Sequence, residues 1–254
     1  SVFHDIFVVV LKIPNLFRRF FAEGAFNQAF IPIYTDYQKS NNLDQTRDFL
    51  NAIAGTLLIF LFVFTILVLI FAPIFIFIFA PGFYFDPIKQ NISIDVLRIM
   101  FPYLALISLV AFAGGIQNTH QKFSVPAFTP VIFNLCLIVS AIFIAPMYDM
   151  PIYVLAWGVL LAGILQLLIQ ISPLLSINRL PVPKLDIRNP GLRKFFKLIL
   201  PAILAGGIIQ INLLIDTIFA SLLETGSPTW LYVSDRLIQF PMGIFAIAIG
   251  TILL

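Results

Sequence analysis

The sequence predicts an all-α polytopic membrane protein, and three observations carry that prediction. First, 60% of its 254 residues are hydrophobic and only 11% are charged, where a water-soluble domain carries roughly 25% charged residues. Second, the apolar residues lie in long uninterrupted runs, and about 20 of them suffice to cross a bilayer as a helix. Third, lysine and arginine concentrate in alternate loops. The composition excludes an ordinary soluble globule, a disordered chain and a nucleic-acid binder. The runs also lack the strict alternation over about ten residues that membrane β-strands require.

Charges and prolines delimit seven expected crossings. The first covers residues 6–35 and is interrupted by Lys12, Arg18, Arg19 and Glu23, with Pro14 expected to break the helix. A charge-free stretch follows from Phe49 to Phe85, closing on the turn signal Pro81-Gly82. Next come Ile99–Gln121, Phe123–Tyr148 and Met150–Asn178. The sixth runs from about Leu198 to Leu223 with Asp216 inside it. The seventh runs from about Thr229 to Leu254 with Asp235 and Arg236 inside it. Pro14, Pro102, Pro201 and Pro241 fall within spans, where broken helices free backbone groups to line a cavity. Ala113-Gly114-Gly115 and Ala205-Gly206-Gly207 are expected to allow close helix contact. The chain opens at Ser1 and stops at Leu254 inside apolar sequence. It is therefore expected to be a piece of a longer protein.

Orientation follows from the loops. Those at 36–48, 118–124 and 179–197 hold nine lysines and arginines, and those at 82–97, 146–151 and 224–228 hold only Lys89. The positive-inside rule puts the first set on the cytoplasmic side and Ser1 on the outer side. Residues 179–197 form the one sizeable linker, with Pro181, Pro183 and Pro190 and most of the positive charge. It is expected to anchor topology and join two lobes; a surface attracting anionic lipid headgroups is a compatible second reading.

Charges inside the spans carry the functional expectation. An arginine at the centre of a membrane helix costs roughly 2.5–3.5 kcal/mol on insertion scales, so such residues normally face a water-filled cavity or a partner. Arg18 and Arg19 lie roughly 20 Å along the first segment, at about 1.5 Å per residue. Asp5, Lys12 and Arg19 recur every seven residues and share a face apart from drift. Glu23 follows Arg19 by four, close enough to pair. In the last segments Asn212 and Asp216 are four apart, and Asp235-Arg236 precede Gln239 by about one turn. The plain alternative is mutual neutralisation, Glu23 with Arg19 and Asp216 or Asp235 with Arg236. That leaves Lys12 and Arg18 without an obvious acid. The functional reading is a cationic cavity between helices that accepts an anionic headgroup, since the arginine fork gives phosphate two parallel hydrogen bonds.

Other chemistries find no support. The sequence has no GxxxxGK[ST] phosphate loop, and no HExxH or Cys/His cluster for a metal. His120 is expected to be solvated in a loop, and the lone Cys136 has no disulfide partner. No cofactor is expected.

The stretch from Lys12, KIPNLFRRFFAEGAFNQAFIPIY, closely resembles the signature of the MurJ (MviN) family, bacterial lipid II flippases of the exporter superfamily that includes MATE transporters. FPYLALISLVAFAGGIQNTHQKFSVPAFTP from Phe101, LPAILAGGIIQINLLIDTIFAS from Leu200 and SDRLIQFPMGIFAIAIGTILL from Ser234 match in the same order. The resemblance implies an incomplete MATE-like fold, helices two to eight of a fourteen-helix, two-lobe architecture. Residues 1–180 would then be an N-terminal lobe lacking its first helix, 181–197 a cytoplasmic inter-lobe linker, and 198–254 the first two helices of a truncated C-terminal lobe.

By the same resemblance, Arg18 and Arg236 match cavity arginines of the two lobes, with Arg19 and Lys12 as further basic positions. Asp5, Glu23, Asp216 and Asp235 are the supporting or coupling acids. Gln239 stands where the family pattern has an acid, a departure that bears on any ion or proton role there. The implied activity is alternating-access flipping of undecaprenyl-pyrophosphate-linked peptidoglycan precursor across the bacterial inner membrane. Lipid II, membrane lipids and cell-wall synthesis machinery are the implied partners, and membrane potential or an ion gradient the implied energy source. A drug or lipid-linked polysaccharide exporter of the same superfamily, or a non-transporting membrane scaffold, are the alternatives. A cation exporter would require an acid-dominated cavity, whereas the first segment here is basic.

Overall fold

The computed structural model describes residues 2–21, 24–40 and 42–241, which are helical with short connections and contain no strand. The expected first segment is two helices, α1 (Val2–Phe21) and α2 (Gly24–Lys39). Pro14 lies inside α1 and does not end it. Its neighbours Val9, Val10, Leu11 and Ile13 are buried against other helices, and such packing lets membrane helices tolerate proline. Helix α3 (Leu43–Ile70) starts where the Asn42 side chain accepts from the Gln45 amide at 3.1 Å, which satisfies one of the orphan donors of a first turn.

The stretch expected to run on to Phe85 is cut twice, because Pro73 and Pro81 each open a new first turn, in α4 (Ala72–Phe79) and α5 (Pro81–Tyr84). A proline loses no hydrogen bond there. The expected loop 82–97 is mostly helix. Asp86 accepts from the amides of Ile88 and Lys89 and starts α6 (Pro87–Met100), so Lys89, Asp95 and Arg98 are helical charges rather than loop charges. Then follow α7 (Tyr103–Thr119), α8 (Ser124–Val139), α9 (Pro151–Ser176), α10 (Pro190–Leu222) and α11 (Ser227–Pro241).

Among the described residues four helices are long and apolar enough to cross a membrane: Leu43–Ile70, Pro87–Thr119 through its Pro102 turn, Ser124–Met147 and Pro151–Ser176. A fifth is α10, bent by 44° between Gly207 and Gln210. The first expected crossing is split, and α1 carries four charges; the last runs beyond Pro241, outside the described residues. Large apolar side chains of α3, α8 and α9 stay exposed, among them Phe62, Ile70, Leu135, Trp157 and Leu168. Apolar surface of that extent suits lipid, not water.

One core, with Ile6, Val10, Ile13, Val96, Met100, Phe101 and Leu104, joins α1 to α6 and α7. A second, with Phe26, Phe30, Tyr34, Phe49 and Phe112, joins α2 to α3, α7 and the start of α10. Between Ser176 and α10 the linker lies against α3. Asn51 accepts from the Val182 amide on Oδ1 at 2.7 Å and from the Lys184 amide on its backbone oxygen at 3.0 Å. Any side chain at Gly55 would collide with the Lys184 backbone.

The two small-residue clusters behave differently. Gly114 and Gly115 meet Pro126 and Phe30 closely, whereas Gly206 has no atom near the place its side chain would occupy. His120 is also not simply solvated. Tyr34 Oη and Gln38 Nε2, one turn apart on α2, stand 2.9 and 2.7 Å from its Nε2, and the Gln38 amide can only donate there.

Candidate functional site

Helix α1 is two-sided. One side is the buried row Ile6, Val9, Val10 and Ile13, and the seven-residue series Asp5, Lys12 and Arg19 faces α10 and α11. At the start of that series Asp5 is only 3% exposed. It accepts from the Gly226 amide at 2.8 Å, the Thr229 amide at 3.2 Å and the Thr229 hydroxyl at 2.5 Å. His4 Nδ1 stands 2.8 Å from the same hydroxyl. The carboxylate thus occupies the N-terminus of α11, where free amides and the helix dipole favour negative charge. Gly226 makes the turn with φ +114°, a left-handed conformation that glycine adopts without strain. Asp5 is therefore placed in a helix-capping contact and not among the residues that line the hollows below.

One turn of the series further on, Lys12 is half-buried and feels the carboxylates of Asp235 first and Asp216 second. Lys12, Arg19, Gln210, Asp235, Arg236 and Gln239 line a small hollow of about 170 Å³ between α1, α10 and α11. Arg19 Nη1 donates to Gln210 Oε1 at 3.4 Å. Arg236 lies over the Tyr232 ring at 5.1 Å and donates to Gln239 Oε1 at 3.5 Å. Gln239, where the resemblance led us to expect an acid, is thus a neutral acceptor for Arg236.

The pairing expected between Arg236 and Asp216 or Asp235 does not occur. Among the described residues the ion pairs are Lys89 with Asp86 and Lys194 with Asp36. The side-chain amide of Gln239 and the ring of Tyr232 occupy Arg236 instead. The expected pairing of Glu23 with Arg19 lies outside the described residues.

Arg18 and Arg236, 218 positions apart in sequence, both line a larger cavity of about 680 Å³ as well as the small hollow. Its other walls come from α1 with Asn15, α2 with Asn27, α11 with Tyr232, and α7, α8 and α9. Two guanidinium groups beside a space with both polar and apolar walls can offer forked donors to an anion, and among the described residues no cluster of His, Cys, Asp and Glu suits a metal. Asp216 is exposed on α10 and acts on Lys12 rather than on the cavity. Sequence reasoning missed Asn15, Gln210 and Tyr232. Only Tyr232, four residues before Arg236, had a signal in its spacing.

The family model for "Lipid II flippase MurJ" matches residues 1–254, the entire chain. The chain belongs to the MurJ family. It is 44% identical over 253 residues to "Probable lipid II flippase MurJ" of Buchnera aphidicola subsp. Acyrthosiphon pisum, covering 100% of the chain and 50% of that protein. To the protein of the same description from Haemophilus influenzae it is 42% identical over 257 residues, covering 98% and 50%. To "Lipid II flippase MurJ" of Burkholderia cenocepacia it is 38% identical over 258 residues, covering 100% and 50%. The chain thus spans about half the length of these MurJ relatives. The stretch from Lys12 to Tyr34 that carried the resemblance covers the charged end of α1 and most of α2, and so includes Arg18, Arg19 and Asn27.

Proposed function

We propose that the intact protein moves undecaprenyl-pyrophosphate-linked peptidoglycan precursor, lipid II, from the cytoplasmic to the outer leaflet of the bacterial inner membrane. The observation that carries this reading is the convergence of Arg18 from α1 and Arg236 from α11 on one cavity of about 680 Å³. Arginines within apolar helices are retained against their insertion cost when they meet a water-filled space and an anionic ligand. A pyrophosphate suits two forks supplied from separate helices, and the polyprenyl tail stays in lipid beside the exposed apolar helix faces.

In this reading residues 1–180 and 198–254 belong to two lobes joined by the linker at 181–197, and the lobes rock about the midplane site. The contact between Asp5 and the start of α11 is a latch on the outer side, closed while the cavity receives cargo from the cytoplasm. Lys12 with Asp216 and Asp235 forms the charged cluster through which membrane potential or an ion gradient acts; one elementary charge moved through 100 mV is worth about 2.3 kcal/mol. Arg19 supports cargo through Gln210, and Glu23 is the remaining acid of the site.

Complementation in cells depleted of their own flippase tests the proposal. The full-length gene is expected to rescue growth. Arg18→Ala and Arg236→Ala are expected to fail while reaching normal membrane levels. Equal rescue by both variants would leave a non-transporting scaffold as the better reading.

A further inference from the structure

We infer that the α7–α9 wall of the large cavity is a subsite for the uncharged part of the headgroup, the hydroxyl and acetamido groups of a sugar. This deepens the proposed function and rests on it. Asn118, Thr129, Asn134, Gln166 and Gln170 line the cavity from these three helices, which contribute no charged residue to it. The cations therefore come from α1 and α11, and four of the six carboxamides that line the space come from the α7–α9 wall.

Carboxamides inside apolar helices are costly unless hydrogen-bonded, and part of this wall is satisfied internally. Gln117 donates to Gln170 Oε1, Gln170 donates to Thr129 Oγ1 at 3.4 Å, and Gln166 donates to the Thr129 carbonyl at 2.9 Å. A network serving only to hold helices together would close on itself. This one leaves acceptors over. Gln166 is 2% exposed, and among the described residues its Oε1 has no partner; the same holds for Asn27 Oδ1 on α2. Asn118 and Asn134 stand exposed on the same wall.

The chemistry of the surplus decides what fits. An ionised pyrophosphate carries no donor, so it can satisfy guanidinium groups but not carbonyl oxygens. Hydroxyl and acetamido N–H groups are donors, and the acetamido carbonyl accepts from the carboxamide NH₂ groups. A cavity of about 680 Å³ also lies well within the range that holds a ligand larger than pyrophosphate alone. The sugar next to the pyrophosphate is the group that would reach this wall while the phosphates sit on Arg18 and Arg236.

The test measures binding by the full-length protein in lipid nanodiscs to two probes, undecaprenyl pyrophosphate and the same lipid bearing one N-acetylglucosamine and no peptide. Wild type should bind the sugar-bearing probe more tightly. Asn118→Ala with Asn134→Ala, and separately Gln166→Met, should each weaken it about tenfold, the scale of one or two lost hydrogen bonds, and leave undecaprenyl pyrophosphate binding unchanged. Equal loss for both probes would assign these residues to helix packing, and no loss for either would mean that water alone satisfies them; both results overturn the inference. Arg18→Ala should weaken both probes. If it weakens neither, the anion site fails, and the carboxamide variants are still read from the difference between probes.

Discussion

The two ends of the α1 face that meets α10 and α11 handle charge in opposite ways. At one end Asp5 is 3% exposed and takes donors from Gly226 and Thr229. At the other, Arg18 and Arg236 border open space, and among the described residues Arg236 is held by a 3.5 Å contact to Gln239 and a ring. A buried charge met by several donors keeps a fixed geometry, whereas a cation at the edge of a hollow is within reach of a ligand. The face thus joins a fastening at one end to the candidate binding site at the other.

The sharpest way to break this comparison is to truncate both ends. Asp5→Ala removes the acceptor of three hydrogen bonds and leaves half-buried amides unpaired at the start of α11. The expected cost is about 3 kcal/mol, the scale for orphaning groups bonded to a charge. Arg236→Ala, at an exposed residue, should stay within about 0.5 kcal/mol. Thermal unfolding of the full-length protein in nanodiscs compares the two. An Asp5→Ala melting temperature equal to that of Arg236→Ala would dissolve the distinction between fastening and candidate binding site.

Much of this face was legible in the sequence, for a physical reason. A charge in an apolar run stands out because the bilayer penalises it, so Lys12, Arg18, Arg19, Asp235 and Arg236 could be picked without coordinates, and seven-residue spacing put Asp5, Lys12 and Arg19 on one side. What charge alone does not reveal is its partner. Asp5 meets a turn more than 220 residues away, and nothing local distinguishes a capping acid from a cavity acid. Neutral groups were harder still: Gln210, Tyr232 and the carboxamides of α8 and α9 resemble ordinary helix residues until folding gathers them. Asp86 and Pro87 are a helix-start signal, yet the charges that follow disguised α6 as a loop.

Close packing near the fastened end gives the next test. Gly82, in α5, donates its amide to Ser221 Oγ at 3.3 Å, and a side chain there would collide with the Ser221 backbone on α10. Gly82→Ala should cost about 2 kcal/mol, because a backbone pair must separate to admit the methyl group. Gly206, beside the bend of α10, has open space at the same point. Gly206→Ala should be neutral or stabilise by up to about 1 kcal/mol through helix propensity. Two equal melting shifts would show that the α5–α10 contact is no tighter than the bend.

The smallest effect is expected at His120, where α2 meets the connection between α7 and α8. Burial, and then the Arg179 charge, lower its pKa below the ordinary value of 6.5. The neutral ring is the form that accepts from the Gln38 amide through Nε2, and a protonated ring would set a donor against that donor instead. Because the folded-state value lies below the unfolded one, this contact adds stability above pH 6.5 and loses it as pH falls through the folded value. Solvent screens the half-exposed ring, so the loss is modest. Subtracting the melting curve of His120→Gln, whose amide accepts at every pH, from that of wild type isolates it. The difference should shrink or reverse as pH falls below 6.5; a difference independent of pH would mean that His120 holds α2 by packing alone.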